Sequence, residues 1–238
     1  MKDSWSNTEM NFASFHIREN EMTDIELAHV DLAQLTRKFI NTALTSKASL
    51  EEVRKAISLI NDAVGVLHVN RGPDAYSVNT AVFLDRSPLI GSMNPIAPPM
   101  DISQEDVSIE ESVTGIAVIG NVFFTELYEG PPGHVHGGFL AAAFDEILGI
   151  SQGLAPNPGM TGRLTVTYRN PSPLFQQLTL RGYVRKLEGR KIFTYATLHK
   201  GDVLCAEAEG LFISINPAVF ERLMQSRSDI SPDTSTDI

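Results

Sequence analysis

Between Gly138 and Gly153 the chain reads GFLAAAFDEILGISQG, an apolar run of helical length whose only charges are Asp145 and Glu146. A helix apolar on nearly every side has to be enclosed by the rest of its domain. Candidate cover follows at once. Leu164–Arg169, Leu178–Lys186, Ile192–Lys200 and Val203–Ser214 read as strands, and Glu188-Gly189 and Gly201-Asp202 as hairpin turns. In the first of these, Leu164, Val166 and Tyr168 face one way, while Arg163, Thr165, Thr167 and Arg169 face the other. Two more strands are expected before the helix, over Val113–Ile119 and Val122–Tyr128. One buried helix among antiparallel hairpins makes an α+β domain.

Two further helices are expected near the N-terminus. Thr23 with Glu26, and Ser49 with Glu52, have capping-box spacing. Ala28, Leu32, Leu35 and Phe39 form one apolar stripe; Val53, Ile57, Ile60 and Val64 form another. The link from Thr45 to Ala48 should fold them into an antiparallel hairpin, with the stripes buried against each other and the main domain. From Asn70 to Pro99, prolines and glycines break any regular pattern, apart from a short strand expected near Val78–Phe83. Leu89, Ile90, Met93 and Ile96 would hold this connection to the core. The resulting division is 1–69 (helical extension), 70–110 (Pro-rich connection), 111–216 (main domain) and 217–238 (tail). The first 22 residues and the Ser/Thr/Asp-rich end from Ser226 are expected to be loosely ordered.

The formal net charge of -10 argues against general binding to nucleic acid or an anionic membrane. No apolar stretch reaches membrane-span length, and Met1–Asn20 does not read as a targeting peptide. A single cysteine, Cys205, forms no internal disulfide and fits a reducing, cytoplasmic setting.

The two acids inside the apolar run raise a question of purpose. Gly137 and Gly138 let another molecule approach the backbone, and the first amides of a helix suit a developing negative oxygen. Asp145 lies seven residues beyond Gly138, about two turns, and so shares its face with Gly138, Ala141 and Ala142. Glu146 is rotated about 100° away. A structural account, with a tight turn followed by a carboxylate paired to a distant arginine, stands beside the functional one.

The stretch GPPGHVHGGFLAAAFDEILG resembles the His-Gly-Gly segment of hot-dog fold acyl-CoA thioesterases of the PaaI-like group, where six residues separate the motif from an Asp. The likeness continues through MTGRLTVTYRNPSPL and spans about Ser112 to Ile213. It implies a hot-dog fold, with an antiparallel sheet wrapped around one central helix, here carrying the N-terminal helical hairpin as an extension. It also implies a homodimer or a dimer of dimers, with the site at the interface. By position, Asp145 becomes the general base or nucleophile, backbone amides near Gly137 and Gly138 the oxyanion hole, and His136 a loop-positioning or thioester contact. Thr161 matches a hydroxyl that orients the attacking water; Thr167 and Arg169 match positions near bound substrate. Coenzyme A enters as part of the substrate, so no cofactor is expected.

Charge offers separate support. Met160–Lys200 holds eight basic residues against one acid, Glu188, an arrangement that would attract coenzyme A phosphates. The turn residues Arg190 and Lys191 are candidates for that contact. A solvated sheet edge is the alternative account. Other signals are set aside. Gly149–Gly153 matches Gly-x-Ser-x-Gly but lies within the helix rather than at a strand-to-helix elbow. His134-x-His136 lacks a third metal ligand, and Cys205 reads as packing. The expected activity is hydrolysis of an acyl-CoA thioester. A non-catalytic acyl-CoA-binding or sensing protein, and less readily an enoyl-CoA hydratase, are the alternatives on the same fold.

Overall fold

The helix that opened the sequence argument lies across the face of one six-stranded antiparallel sheet. In a computed structural model, which describes residues 21–68 and 85–216, the elements are α1 (Asp24–Thr45), α2 (Leu50–His68), β1 (Met100–Asp106), β2 (Ile116–Phe123), α3 (Gly137–Gly153), β3 (Gly159–Tyr168), β4 (Gln177–Glu188), β5 (Lys191–Lys200) and β6 (Val203–Ser214). The strand order is β1-β2-β4-β5-β6-β3, so β3, which follows α3, closes one edge. Alternation drives the wrapping. In β4 the buried set is Leu178, Leu180, Gly182 and Val184; in β5 it is Ile192, Thr194, Ala196 and Leu198. Phe144, Ile147 and Leu148 of α3 fill the concave side against them. Gly189 and Gly201 adopt positive φ at the two hairpin turns, as the turn signals required.

Three expectations need correction. The two strands anticipated at 113–119 and 122–128 are one, β2, followed by a 3-10 turn at Glu126–Tyr128. The apparent break at Gly120-Asn121 is no turn. Gly120 is in mid-strand, where a Cβ would come within 2.6 Å of Ile147 Cδ1 and 2.5 Å of Met100 Sδ. The connection assigned to 70–110 ends in β1, which pairs with β2 along its length. This strand was hidden because it is an edge: MDISQED buries little beyond Met100 and so shows no alternation.

The third correction concerns the extension. Both helices form, and Glu26 and Glu52 accept from the Thr23 and Ser49 amides at 2.7 and 2.8 Å. α1 docks on the body. Ala33 is buried, Arg37 donates to the carbonyls of Asn94 (2.6 Å) and Ser92 (3.3 Å), and Thr125 Oγ1 donates to Asn41 Oδ1. The apolar stripes do not bury as expected. Leu35, Phe39, Val53, Ile57 and Val64 are all exposed, and α2 has no buried residue. In the connection, Ile90 reaches the core and Leu89 packs against it, whereas Ile96 is exposed. The strand expected near Val78–Phe83, the first 20 residues and the tail lie outside the described residues. Among the described residues no helix is long and apolar enough to cross a membrane.

Candidate active site

The segment before α3 is tied down from several directions. His136 N donates to Tyr128 O at 2.8 Å, Val135 N to Ser172 O, and Gly133 N to Glu129 Oε1. His136 has an extended backbone and caps α3 with its own side chain, Nδ1 accepting from Gly138 N at 3.0 Å. A ring nitrogen that accepts carries no proton, so Nδ1 is the bare nitrogen. Tyr168 Oη donates to Gly137 O at 2.8 Å. Of the two glycine amides, Gly138 is therefore engaged. Gly137 N–H, the first of the helix, has no acceptor among the described residues.

Asp145 and Glu146 find different partners. Asp145 is half-buried, and its Oδ1 accepts from Thr161 Oγ1 at 3.0 Å. Thr161 sits where the β3–β6 register shifts, between Thr161 and Arg163. Glu146 turns toward the Pro-rich connection and accepts from Ser87 Oγ at 3.2 Å. Burial raises the Glu146 carboxyl above the usual carboxylate range; the Ser87 hydrogen bond opposes this and the Asp145 charge adds to it. Asp145 lies eight residues beyond Gly137, a rise of about 12 Å along one helix.

The basic cluster looks different once the sheet is assembled. Arg169 Nε donates to Glu207 at 2.9 Å, and Glu207 also accepts from Tyr195 Oη. Arg181 pairs with Glu105 and Glu111, Arg185 with Glu209, and Lys186 with Glu188. Arg190 donates through Nε and Nη2 to Ser214 O, holding the end of β6. Counting charges between Met160 and Lys200 found Glu188 and missed the other acids, because β1, the turn after it and β6 bring them in from outside that window. Lys191 opens β5 beside Arg190, and Thr167 lies in β3 opposite Glu207.

Of the proposed site residues, the fold brings His136, Gly137 and Gly138 together at the start of α3, and Asp145 with Thr161 two turns on. It ties Arg169 and Arg190 to protein partners. Tyr168 and Ser87 were not foreseen. Strand parity groups Tyr168 on one face with Leu164 and Val166, while Ser87 gave no signal. Ser151 of the Gly-x-Ser-x-Gly match is buried and bonds back to Ile147 O at 2.7 Å. A cavity of about 540 Å³ lies elsewhere, between α1 and the 3-10 turn, lined in part by Arg37, Asn41, Phe123 and Tyr128.

Comparison with known proteins bears on this arrangement. The thioesterase superfamily profile matches residues 132–207, a span that holds every proposed site residue. The crystal structure of a thioesterase superfamily protein superposes with a TM-score of 0.66 at 31% identity, covering 78% of this chain and 90% of that one. This chain belongs to the thioesterase superfamily. Its hot-dog fold, a sheet around one helix with N-terminal helices added, is the fold that membership carries. Among curated superfamily relatives, acyl-coenzyme A thioesterase THEM4 of Xenopus laevis is 41% identical over 91 residues, and that of Mus musculus 39% over 94. These alignments cover 37% of this chain in both cases, and 41% and 39% of the relatives. The chain thus spans about two fifths of the length of the curated relatives it matches.

Proposed function

We propose that this protein hydrolyses acyl-CoA thioesters, with Asp145 as the general base and the Gly137 amide as the oxyanion donor. The observation that carries the reading is the Asp145 carboxylate, half-buried and held at one oxygen by Thr161, on the helix whose first amide has no acceptor among the described residues. A carboxylate in an apolar helix is costly to bury unless it is paired or hydrogen-bonded, and such groups gather at sites of chemistry. Asp145 takes a proton from water as the water oxygen attacks the thioester carbon. The carbonyl oxygen becomes an anion and is met by Gly137 N–H. The C–S bond then breaks, the proton passes from Asp145 to the departing sulfur, and the products are the free acid and coenzyme A. Thr161 donates to Oδ1 and leaves Oδ2 for the water.

Distance favours a site shared by two copies. Attack requires the base within about one water of the reacting carbon, and the oxyanion donor within about 3 Å of the oxygen. A rise of about 12 Å separates the two groups on one α3. Asp145 therefore serves a thioester held by the Gly137 of a second copy, and the working unit is a homodimer. The THEM4 relatives, acyl-coenzyme A thioesterases by name, support the choice of substrate class.

The test is thiol release by the purified protein from a panel of acyl-CoA esters of different chain length. Asp145→Ala is expected to lower kcat by about 10²- to 10⁴-fold, the usual contribution of a general base. Unimpaired hydrolysis by that variant would remove Asp145 from the mechanism. Binding of acyl-CoA without turnover by the natural protein would favour the sensing alternative.

A further inference from the structure

We propose that Tyr168 is a positioning residue for this hydrolysis, holding the Gly137–Gly138 peptide so that the Gly137 N–H stays aimed at the thioester oxygen. The inference rests on the thioesterase reading and deepens it. A peptide group is planar, so restraint at both ends fixes its orientation. This one is restrained at both ends. Its carbonyl, on Gly137, accepts from Tyr168 Oη at 2.8 Å, and its N–H, on Gly138, donates to His136 Nδ1 at 3.0 Å. The neighbouring N–H, that of Gly137, is the one left for substrate. The peptide that carries it is held at its carbonyl, His136 O accepting from Phe139 N at 3.0 Å and Leu140 N at 3.3 Å, and the glycine torsions that join it to the next peptide are soft without a Cβ, so Tyr168 sharpens its aim from the other side.

The ring does a second job. A Cβ built on Gly137 would lie 3.2 Å from Tyr168 Oη, 3.3 Å from Cζ and 3.5 Å from Cε1. Tyr168 thus occupies the space beside Gly137 where another residue would carry its side chain. Stability alone gives little reason for the hydroxyl. Tyr168 is 52% exposed, and water can replace one hydrogen bond at such a position. The same strand carries Thr161, which holds Asp145. One edge strand therefore sets both the base and the oxyanion donor of its own chain.

Tyr168→Phe in the full chain removes the hydroxyl and keeps the ring. The expected result is a fall in kcat of about tenfold, part of the 10²–10³ lost when an oxyanion donor is deleted. The KM for acyl-CoA should stay within about twofold, and Tm within about 2 °C. Amide hydrogen exchange at Gly138 should quicken about tenfold, a readout independent of turnover. A kcat within twofold of the natural protein together with unchanged Gly138 exchange overturns the proposal, as does a raised KM at unchanged kcat, which would make Tyr168 a substrate contact. Asp145→Asn assayed alongside separates the two claims. If it is inactive while Tyr168→Phe is fully active, only the role of Tyr168 fails. If Asp145→Asn retains full activity, the reading of the site fails and the role of Tyr168 with it.

Discussion

Asp145 and Glu146 are adjacent in sequence and meet the cost of burial in different ways. Asp145 is held by a hydroxyl from the sheet edge; Glu146 is pressed against the connection, with one serine hydroxyl for company. Because Glu146 has a folded-state pKa above its unfolded one, the folded chain keeps that proton to higher pH. Stability from this group is therefore greatest in acid and falls as pH rises through the window between the two values. Glu146→Gln retains Oε1 as the acceptor for Ser87 and has no charge to desolvate. Thermal melts at a series of pH values should show the variant gaining on the natural protein as pH rises through that window. A gap that narrows instead would contradict the assignment. At this scale the resemblance named His136, Gly137, Gly138, Asp145 and Thr161, and the fold brings Thr161 to Asp145 and His136 to Gly138. Tyr168 was legible only as to side. Parity says which way a side chain leaves a strand, not which carbonyl its far end will reach.

Among the elements, α3 sits close to the sheet because glycines face it. A Cβ on Gly182 would come within 2.5 Å of Ile147 Cγ2 and 2.8 Å of Ser151 Oγ. Gly182→Ala is thus expected to destabilise the domain by about 1–3 kcal/mol, the usual cost of overpacking, as measured by urea denaturation. A neutral result would mean that α3 shifts freely, which its buried Phe144, Ile147 and Leu148 argue against. Strands β3 to β6 were readable because each buries one face and punctuates itself with turn residues. β1 was not, since an edge strand buries too little to leave a period-2 trace. β2 was split in the reading because a glycine needed for close packing looks, in sequence, like a glycine needed for a turn.

For the whole molecule, the proposed chemistry requires two chains, and Gly137 permits a clean test. It is the first residue of α3, where proline is tolerated, and His136 before it has φ -62° and ψ 131°, a conformation that proline favours in its predecessor. Gly137→Pro therefore deletes the N–H at a backbone position that accepts proline, its Cβ displacing the exposed Tyr168 ring by a few tenths of an ångström, and should lower kcat at least about 10²- to 10³-fold. Mixed and re-equilibrated with Asp145→Asn, it should recover about a quarter of natural activity. Half the dimers would then be mixed, each with one intact site of its two. No recovery under conditions where subunits are shown to exchange would place base and donor in the same chain. At this scale the sequence was least informative. The apolar stripes of α1 and α2 say that a face is sticky, not what covers it, and a local charge count cannot see acids delivered by strands far along the chain. β3 closes one margin of the sheet and fastens both Asp145 and Gly137, so anything that lies down along that margin presses on the two together. In the proposed dimer a second copy docking there would join assembly and turnover to a single lever, and a mutation that loosens β3 should show itself as slower chemistry before it shows itself as a falling-apart of the fold.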